Sequence, residues 1–528
     1  MTKYNPIVLI ILDGWGISPS WGGNALAVNN PENINRYWRE YPHKVLQAFT
    51  LVAGKYGVVG DSRLGHSTIA AGRRIPQELE VISEAIINRS FYKNKVLIAA
   101  IRHCQKNNSN LHLLGLLSNG GVHAHLSHLK ALLEMCYRFD FERVYLDLIT
   151  DGIDSGHNDA ISFIDQIKIK MTETDVGKFS SVMGRYYGMD RAGDFKRTKT
   201  AYDLLTAGKG QAHDSILEAV GSAYRTGYTD FNLPPMVIKN QGQAQEIDDN
   251  DAVIFFNLRL DRSKQLAEFL TGKNSRFLGP KKIKNLHLVT LTEYDKSLEA
   301  EVAFPKNEVA NTLGEVLSKH QKRQLRLAES EKATHVTSFF DCGHFEPFSG
   351  EEIKIIPSKR IDPAKNPQMA AFKIAKTAVH AIRHKKYDFI LINFANVDMV
   401  SHTGNMIAAG KAIQVVDKVV SQIVKENLAV GGATIITADH GNIEQMVKLK
   451  PEQDPEAKHT MNPVPFILIT KDNKKNLFQG AISSYGSILP SIVTAKETLT
   501  DIAPTVLELM SLPKPAAMTG HSLLTKLE

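Results

Sequence analysis

Ala433-Thr434-Ile435-Ile436-Thr437-Ala438-Asp439-His440-Gly441-Asn442 is the stretch that decides the fold. It opens as an apolar, β-branched run of strand length and closes on two adjacent residues of metal-ligating type. An unbroken apolar run of this kind reads as a strand buried on both faces, the habit of parallel sheets. Two more runs share the pattern. Ile7-Val8-Leu9-Ile10-Ile11-Leu12 closes on Asp13, and Phe389-Ile390-Leu391-Ile392-Asn393-Phe394 is followed by Asp398 and His402. Three carboxylates and two histidines therefore follow the carboxyl ends of buried strands, where open α/β sheets assemble their sites. The pattern predicts a two-metal centre.

A chain of 528 residues, 43% of them hydrophobic, is too long for one ordinary core, so two globular domains are expected. The formal charge of +7 is small for this length, and Lys and Arg are scattered. That pattern predicts no nucleic-acid partner and is compatible with small anionic substrates. The longest apolar runs are strand-sized, and the first residues lack a basic region followed by an apolar stretch and a cleavage site. A cytoplasmic protein with no membrane partner is the expectation, acting as a monomer. Cys104, Cys136 and Cys342 are odd in number and unpatterned, so buried thiols are expected rather than disulfides or a thiolate zinc site.

Short Val/Ile/Leu-rich runs alternate with longer helical patterns, which predicts α/β architecture throughout. Metal-type residues occur at Asp13 and again only after Asp398, whereas the middle of the chain carries Arg185, Arg191, Arg259 and Arg262. This is the order an inserted domain leaves. We expect a first metal-domain segment over 1–77, an insert over 78–306 and a second metal-domain segment over 307–528. The amphipathic stretch from Pro76 to Ile87 would be the outgoing connection, and Phe304-Pro305-Lys306-Asn307 the return. Within the insert, Leu111–Leu117 leads to Gly120-Gly121-Val122-His123, Val144–Ile149 to Asp151-Gly152-Ile153-Asp154, Val182-Met183 to Gly184-Arg185, and Ala252–Phe256 to Arg259 and Arg262. Chemistry again follows strand ends, so a second parallel sheet is predicted.

A mixed Asp/His set without thiolates favours manganese, then magnesium or zinc. Asp398 and His402 are spaced for one face of a helical turn, and His459 is the candidate for a further ligand from a distant loop. Ser62, in Gly60-Asp61-Ser62-Arg63-Leu64-Gly65-His66, stands where a turn enters a short helix. A serine there is either an ordinary cap or, beside a metal cluster, a nucleophile. Arginines bind carboxylate and phosphate in bidentate fashion, so four that converge would suit a small, doubly anionic substrate. Among His123, His125 and His128, one structural or phosphate-contacting residue is a simpler reading than three ligands. Asp154 is either a helix cap or an acid/base group.

Taken together, Leu12-Asp13-Gly14-Trp15-Gly16, Gly120-Gly121-Val122-His123, Gly184-Arg185-Tyr186-Tyr187, Met189-Asp190-Arg191, Ala328-Glu329, Glu331-Lys332, Asn396, Asp398-Met399-Val400, His402, Gly404, Thr437-Ala438-Asp439-His440-Gly441-Asn442 and Asp501-Ile502-Ala503-Pro504-Thr505 carry a resemblance over nearly the whole chain. It resembles the cofactor-independent (2,3-bisphosphoglycerate-independent) phosphoglycerate mutases of the alkaline phosphatase superfamily. The resemblance implies an alkaline-phosphatase-like doubly wound α/β domain interrupted by an inserted α/β phosphotransferase domain. It implies that Asp398, His402 and His459 hold one manganese, that Asp13, Ser62, Asp439 and His440 surround a second, and that no 2,3-bisphosphoglycerate is needed. Ser62 would take the phosphoryl group from one glycerate oxygen and return it to the other, interconverting 3-phosphoglycerate and 2-phosphoglycerate. His123, Asp154, Arg185, Arg191, Arg259, Arg262 and Lys332 match positions that bind substrate, with Asp154 as acid/base candidate and Lys332 near the phosphoryl group. The phosphoserine must outlive reorientation of glycerate, a reason for a second domain that closes over the first and excludes water.

The sequence departs from the family at several positions. Ile153 stands where the family's turn has a substrate-contacting arginine, Asp61 and Arg63 replace Asn and Glu beside the nucleophile, and Asp147 replaces a histidine. Asp341-Cys342-Gly343-His344 replaces an Asn-Gly-Gly turn, and Gly480–Thr498 is longer than usual. Two alternatives follow: a metal-dependent phosphatase or mutase for another small phosphate ester, and a non-catalytic descendant. The complete Ser and Asp/His set argues against the second.

Overall fold

The computed structural model describes residues 4–19, 23–48, 62–190, 192–273, 283–305, 309–344, 346–447, 459–474 and 495–526. Arg191 and Asp61, Lys306-Asn307 in the expected return connection, and most of the long segment after Gly480 lie outside these residues. The chain divides into two compact units, one made of Met1–Ile75 with Glu308–Glu528 and the other of Pro76–Asn307.

In chain order the strands are β1 (Ile7–Leu12), β2 (His43–Leu46), β3 (Leu111–Leu117), β4 (Val144–Thr150), β5 (Lys178–Gly184), β6 (Gln211–His213), β7 (Met236–Ile238), β8 (Ala252–Phe255), β9 (His287–Thr290) and β10 (Glu301–Val302). They continue with β11 (Gln324–Glu329), β12 (Glu351–Ile356), β13 (Phe389–Phe394), β14 (Ala433–Thr437) and β15 (Val464–Ile469). The discontinuous unit holds a seven-stranded sheet in the order β12-β11-β13-β1-β14-β15-β2. Strand β1 lies at its centre, parallel to β13 on one side and β14 on the other, with Leu12 level with Phe394 and Ile11 level with both Asn393 and Thr437. Every residue of β1, β13 and β14 is buried. That is why their sequences lack the polar alternation of a half-exposed strand. The shared register brings the carboxyl ends of these strands side by side, so the residues that follow them meet. The pattern breaks at the edge, where β15 runs antiparallel to β14 and β2 antiparallel to β15.

The continuous unit holds an eight-stranded sheet, β10-β9-β8-β3-β4-β5-β7-β6, in which β5 and β7 form the one antiparallel pair. The amphipathic stretch after Pro76 forms a helix over Glu78–Ile87 with Leu79, Ile82 and Ala85 inside. Its core includes the ion cluster that explains Asp147. Buried His112 Nδ1 lies 2.7 Å from Asp147 Oδ2, while its Nε2 is 3.6 Å from Asp251 Oδ2. Burial opposes the imidazolium, but the two carboxylates outweigh it and raise the His112 pKa to about 9.

Candidate active site

Asp13 follows β1, Asp398 lies in the Asn396–Ser401 helix after β13, and Asp439 and His440 follow β14. Lys332 belongs to the short turn after β11. Gly14 adopts φ +76°, and a Cβ there would meet Asp398 Cα at 3.0 Å, so the chain leaving β1 requires glycine to pass this closely. Ser62 opens the Ser62–Ala71 helix and is buried. A Cβ on Gly65, one turn on, would meet the Asp439 carbonyl at 2.5 Å, and it is this closeness that carries Ser62 to the cluster.

Ser62 Oγ lies 2.9 Å from His440 Nε2. His440 Nδ1 faces the Gly441 carbonyl at 3.2 Å, so the proton belongs on Nδ1 and the Nε2 lone pair looks toward the serine hydroxyl. The same Nε2 is 3.4 Å from Asp439 Oδ2 and 3.6 Å from Asp13 Oδ1. Asp398 Oδ1 collects the other histidines, with His402 Nε2 at 3.2 Å and His459 Nε2 at 3.5 Å. The Asn442 amide donates to the same oxygen at 2.9 Å. His402 caps the helix whose first turn holds Asp398, the arrangement expected from their spacing.

Two sets of donor atoms are compact enough to share a cation, Asp13 with Asp439 and His440, and Asp398 with His440 and His459. His440 is common to both, whereas the family resemblance implies a place for it only beside Asp13 and Asp439. His402 stands at the rim, half-exposed, against Asp398. Two buried carboxylates share one ammonium, since Lys332 Nζ donates to Asp13 Oδ1 at 2.8 Å and to Asp398 Oδ2 at 2.7 Å. Burial disfavours the Lys332 charge, but Asp13, Asp398 and Asp439 outweigh it and raise its pKa. Burial and the neighbouring Asp439 raise Asp13, while for Asp398 the Lys332 charge and the histidines overcome burial and hold it low. Asp439 Oδ2 is buried, with His66 Nδ1 at 3.2 Å and His440 Nε2 at 3.4 Å but no well-aligned hydrogen bond among the described residues. Excess buried negative charge, an orphaned carboxylate oxygen and an all-oxygen-and-imidazole donor set fit divalent cations.

Glu444 escapes a reading by motif. Fully buried, it accepts from the Gly16 N–H at 3.1 Å, the Asn442 N–H at 2.8 Å, the Asn462 amide at 2.9 Å and the Thr460 hydroxyl. It thereby ties together the segments that carry Asp13, Asp439-His440 and His459. Nothing in Gly441-Asn442-Ile443-Glu444 announces this, because three of the four donors, on Gly16, Thr460 and Asn462, come from other segments of the chain.

The continuous unit repeats the logic at its own strand ends. His123 Nδ1 lies 2.6 Å from Asp154 Oδ2, and Arg185 Nη1 is 3.2 Å from the same oxygen while also bonding Asp151. Burial alone would raise the Asp154 pKa, but the His123 hydrogen bond and the Arg185 charge hold it below the usual carboxylate range. Asp154 is not a helix cap, since Asp159 occupies that position before the Ala160–Thr174 helix. Arg259 is exposed at the start of the Leu260–Leu270 helix and Arg262 lies in its first turn. The Leu258 N–H donates to the His123 carbonyl at 2.7 Å, which brings that segment beside His123. Of His125 and His128, the first caps a helix and the second is buried, its pKa lowered by burial to about 3.

Fold and site define a class: an α/β enzyme whose buried serine stands within a carboxylate and imidazole cluster suited to divalent cations. Residues 82–296 match the family described as BPG-independent PGAM N-terminus. The 2,3-bisphosphoglycerate-independent phosphoglycerate mutase of Clostridium botulinum is 41% identical over 524 residues, 98% of this chain and 99% of its own. That of Clostridioides difficile is 40% identical over 99% of both chains. The crystal structure of Leishmania mexicana phosphoglycerate mutase at low cobalt concentration superposes with a TM-score of 0.69 at 23% identity, covering 98% of this chain and 97% of that one. The chain belongs to the family of 2,3-bisphosphoglycerate-independent phosphoglycerate mutases, a family of isomerases.

Proposed function

We propose that this chain interconverts 3-phosphoglycerate and 2-phosphoglycerate, a step of glycolysis and gluconeogenesis, by passing the phosphoryl group through Ser62. The observation that carries the reading is the buried Ser62 hydroxyl 2.9 Å from His440 Nε2, beside Asp13 and Asp439. Asp398, His402 and His459 would hold one divalent cation, and Asp13, Ser62, Asp439 and His440 the other. Bound there, two such ions, manganese first and magnesium or zinc as alternatives, supply positive charge to phosphoryl oxygens and acidify the serine hydroxyl.

Ser62 Oγ gives up its proton and attacks phosphorus as the bond from phosphorus to the glycerate oxygen breaks, and the released oxygen takes up a proton in exchange, so that none is gained or lost overall. In the return step the other glycerate hydroxyl loses its proton and attacks the phosphoserine, regenerating Ser62. Asp154, held by His123 and Arg185, is the proposed group for these proton movements. Lys332 steadies the phosphoryl charge, and Arg185, Arg191, Arg259 and Arg262 recognise the anionic substrate. The same reading makes the enzyme a cytoplasmic monomer, which sedimentation would check. No helix among the described residues is long and apolar enough to cross a membrane.

One observation favours a second reading. Ile153, beside Asp154, is 52% exposed and offers no charge to a substrate anion. Losing one charged hydrogen bond costs about 1.5–3 kcal/mol, or one to two decades in affinity. A phosphatase or a mutase for another phosphate ester would tolerate that loss. Manganese-loaded protein incubated with 3-phosphoglycerate, without bisphosphoglycerate, separates the readings: a mutase forms 2-phosphoglycerate with little free phosphate, and a phosphatase releases phosphate. Turnover that survives Ser62→Ala removes the phosphoserine route.

A further inference from the structure

His66 lies one helical turn after Ser62, fully buried, with both ring nitrogens engaged on the catalytic cluster. Its Nδ1 is 2.8 Å from the Ser62 carbonyl and 3.2 Å from Asp439 Oδ2. Its Nε2 is 3.0 Å from Asn393 Nδ2, and that same amide nitrogen donates to Asp13 Oδ2 at 2.8 Å. The geometry dictates the hydrogens. Asp13 accepts, so the Asn393 NH2 must face it, and the second amide hydrogen then points at His66 Nε2. Nε2 is therefore the acceptor and Nδ1 carries the proton, which goes to the Ser62 carbonyl. Both carboxylates of the Asp13, Asp439 and His440 set, and the backbone of the nucleophile, thus touch one imidazole or its amide partner.

We propose that His66, acting with Asn393, is a positioning residue for the phosphoryl-accepting serine and for one cation set: it holds Ser62, Asp13 and Asp439 in mutual register. The assignment rests on the reading that Asp13, Asp439 and His440 hold a cation. A histidine that merely filled space would affect stability and leave the two cation sets alike. A residue that orients ligands of one set weakens that set selectively, typically by 10–100-fold.

The test is a manganese titration followed by electron paramagnetic resonance, on parent protein and on His66→Leu, His66→Asn and Asn393→Ala. The His459→Gln background isolates the Asp13, Asp439 and His440 set. Parent protein should bind two equivalents. His66→Leu should weaken one of them about 10–100-fold, the one that survives His459→Gln, and leave the other within about threefold. His66→Asn, whose amide replaces the Nδ1 donor, should recover part of the loss, and His66→Leu with Asn393→Ala should be little worse than either alone. Equal weakening of both equivalents, or no change, overturns the assignment. Should His66→Leu not fold, as circular dichroism would show, Asn393→Ala and His66→Asn carry the same expectation and the same refutation. Parent protein that binds fewer than two equivalents would instead overturn the underlying metal reading.

Discussion

Replacing Glu444 by glutamine changes one atom and should nonetheless damage the metal domain. The carboxylate accepts four hydrogen bonds: Oε2 takes the Gly16 and Asn442 N–H groups, and Oε1 takes the Thr460 hydroxyl and the Asn462 amide. An amide offers one accepting oxygen and one donating NH2. Turned toward Gly16 and Asn442, the NH2 faces two backbone donors; turned toward Thr460 and Asn462, it obliges the hydroxyl to rotate and the Asn462 amide to turn over. Hydrogen bonds to a charged group contribute about 1.5–3 kcal/mol each, and a buried donor left unsatisfied adds its desolvation cost. Losing the charge on all four bonds and rearranging two of them, offset in part by no longer burying a charge, should cost about 1.5–3 kcal/mol. The three segments Glu444 ties together carry Asp13, Asp439-His440 and His459, so manganese affinity should fall by about 10–100-fold as well. Urea unfolding of metal-free protein, with manganese titration of the same samples, measures both quantities. A Glu444→Gln variant within about 1 kcal/mol of the parent that binds manganese within about twofold would refute the reasoning.

Other outcomes follow from the same structure. Lys332→Met leaves Asp13, Asp398 and Asp439 without their ammonium, so metal-free protein should lose about 3–5 kcal/mol, and saturating manganese should restore much of it in thermal unfolding. Gly65→Ala puts a methyl group 2.5 Å from the Asp439 carbonyl, so turnover should fall sharply with a stability loss of about 1–3 kcal/mol, read by mutase assay and urea unfolding. His112 has a folded pKa raised to about 9. The stability it contributes is complete below about pH 6.5 and is lost as pH rises through about 9, about 3 kcal/mol in all. The urea midpoint should fall over that window in the parent and less steeply in Asp147→Asn; a flat parent profile would contradict the buried ion cluster.

What could be read from residues alone follows from which interactions are local. Strands β1, β13 and β14 were legible because strands covered on both faces are continuous apolar runs, and Asp13, Asp398 and Asp439 because they interrupt those runs at their ends. The edge strand β2 gives no such signal: His43-Lys44-Val45-Leu46 is a strand because β15 lies beside it. Asp154 could be read as cap or acid until Asp159 was found at the helix start and His123 at the carboxylate. Asn393, His66 and Glu444 were silent for a common reason. Each looks ordinary in its own segment, and its role exists only through partners from other parts of the chain. Lys332 was legible only through family resemblance, because nothing near it in sequence shows that it reaches two carboxylates.

The placement of β1 has a consequence for biosynthesis. Strand β1 is the middle strand of its sheet, and both its neighbours, β13 and β14, leave the ribosome much later: Asn393 follows Asp13 by 380 residues. At about 5–20 residues per second, Ile7–Leu12 waits roughly 20–80 s with both edges unpaired, while the whole intervening unit emerges and can fold. A nascent apolar strand with two open edges is an invitation to aggregate, so the yield of active enzyme should depend on chaperones that shield Ile7–Leu12 as well as on the stability of the finished molecule.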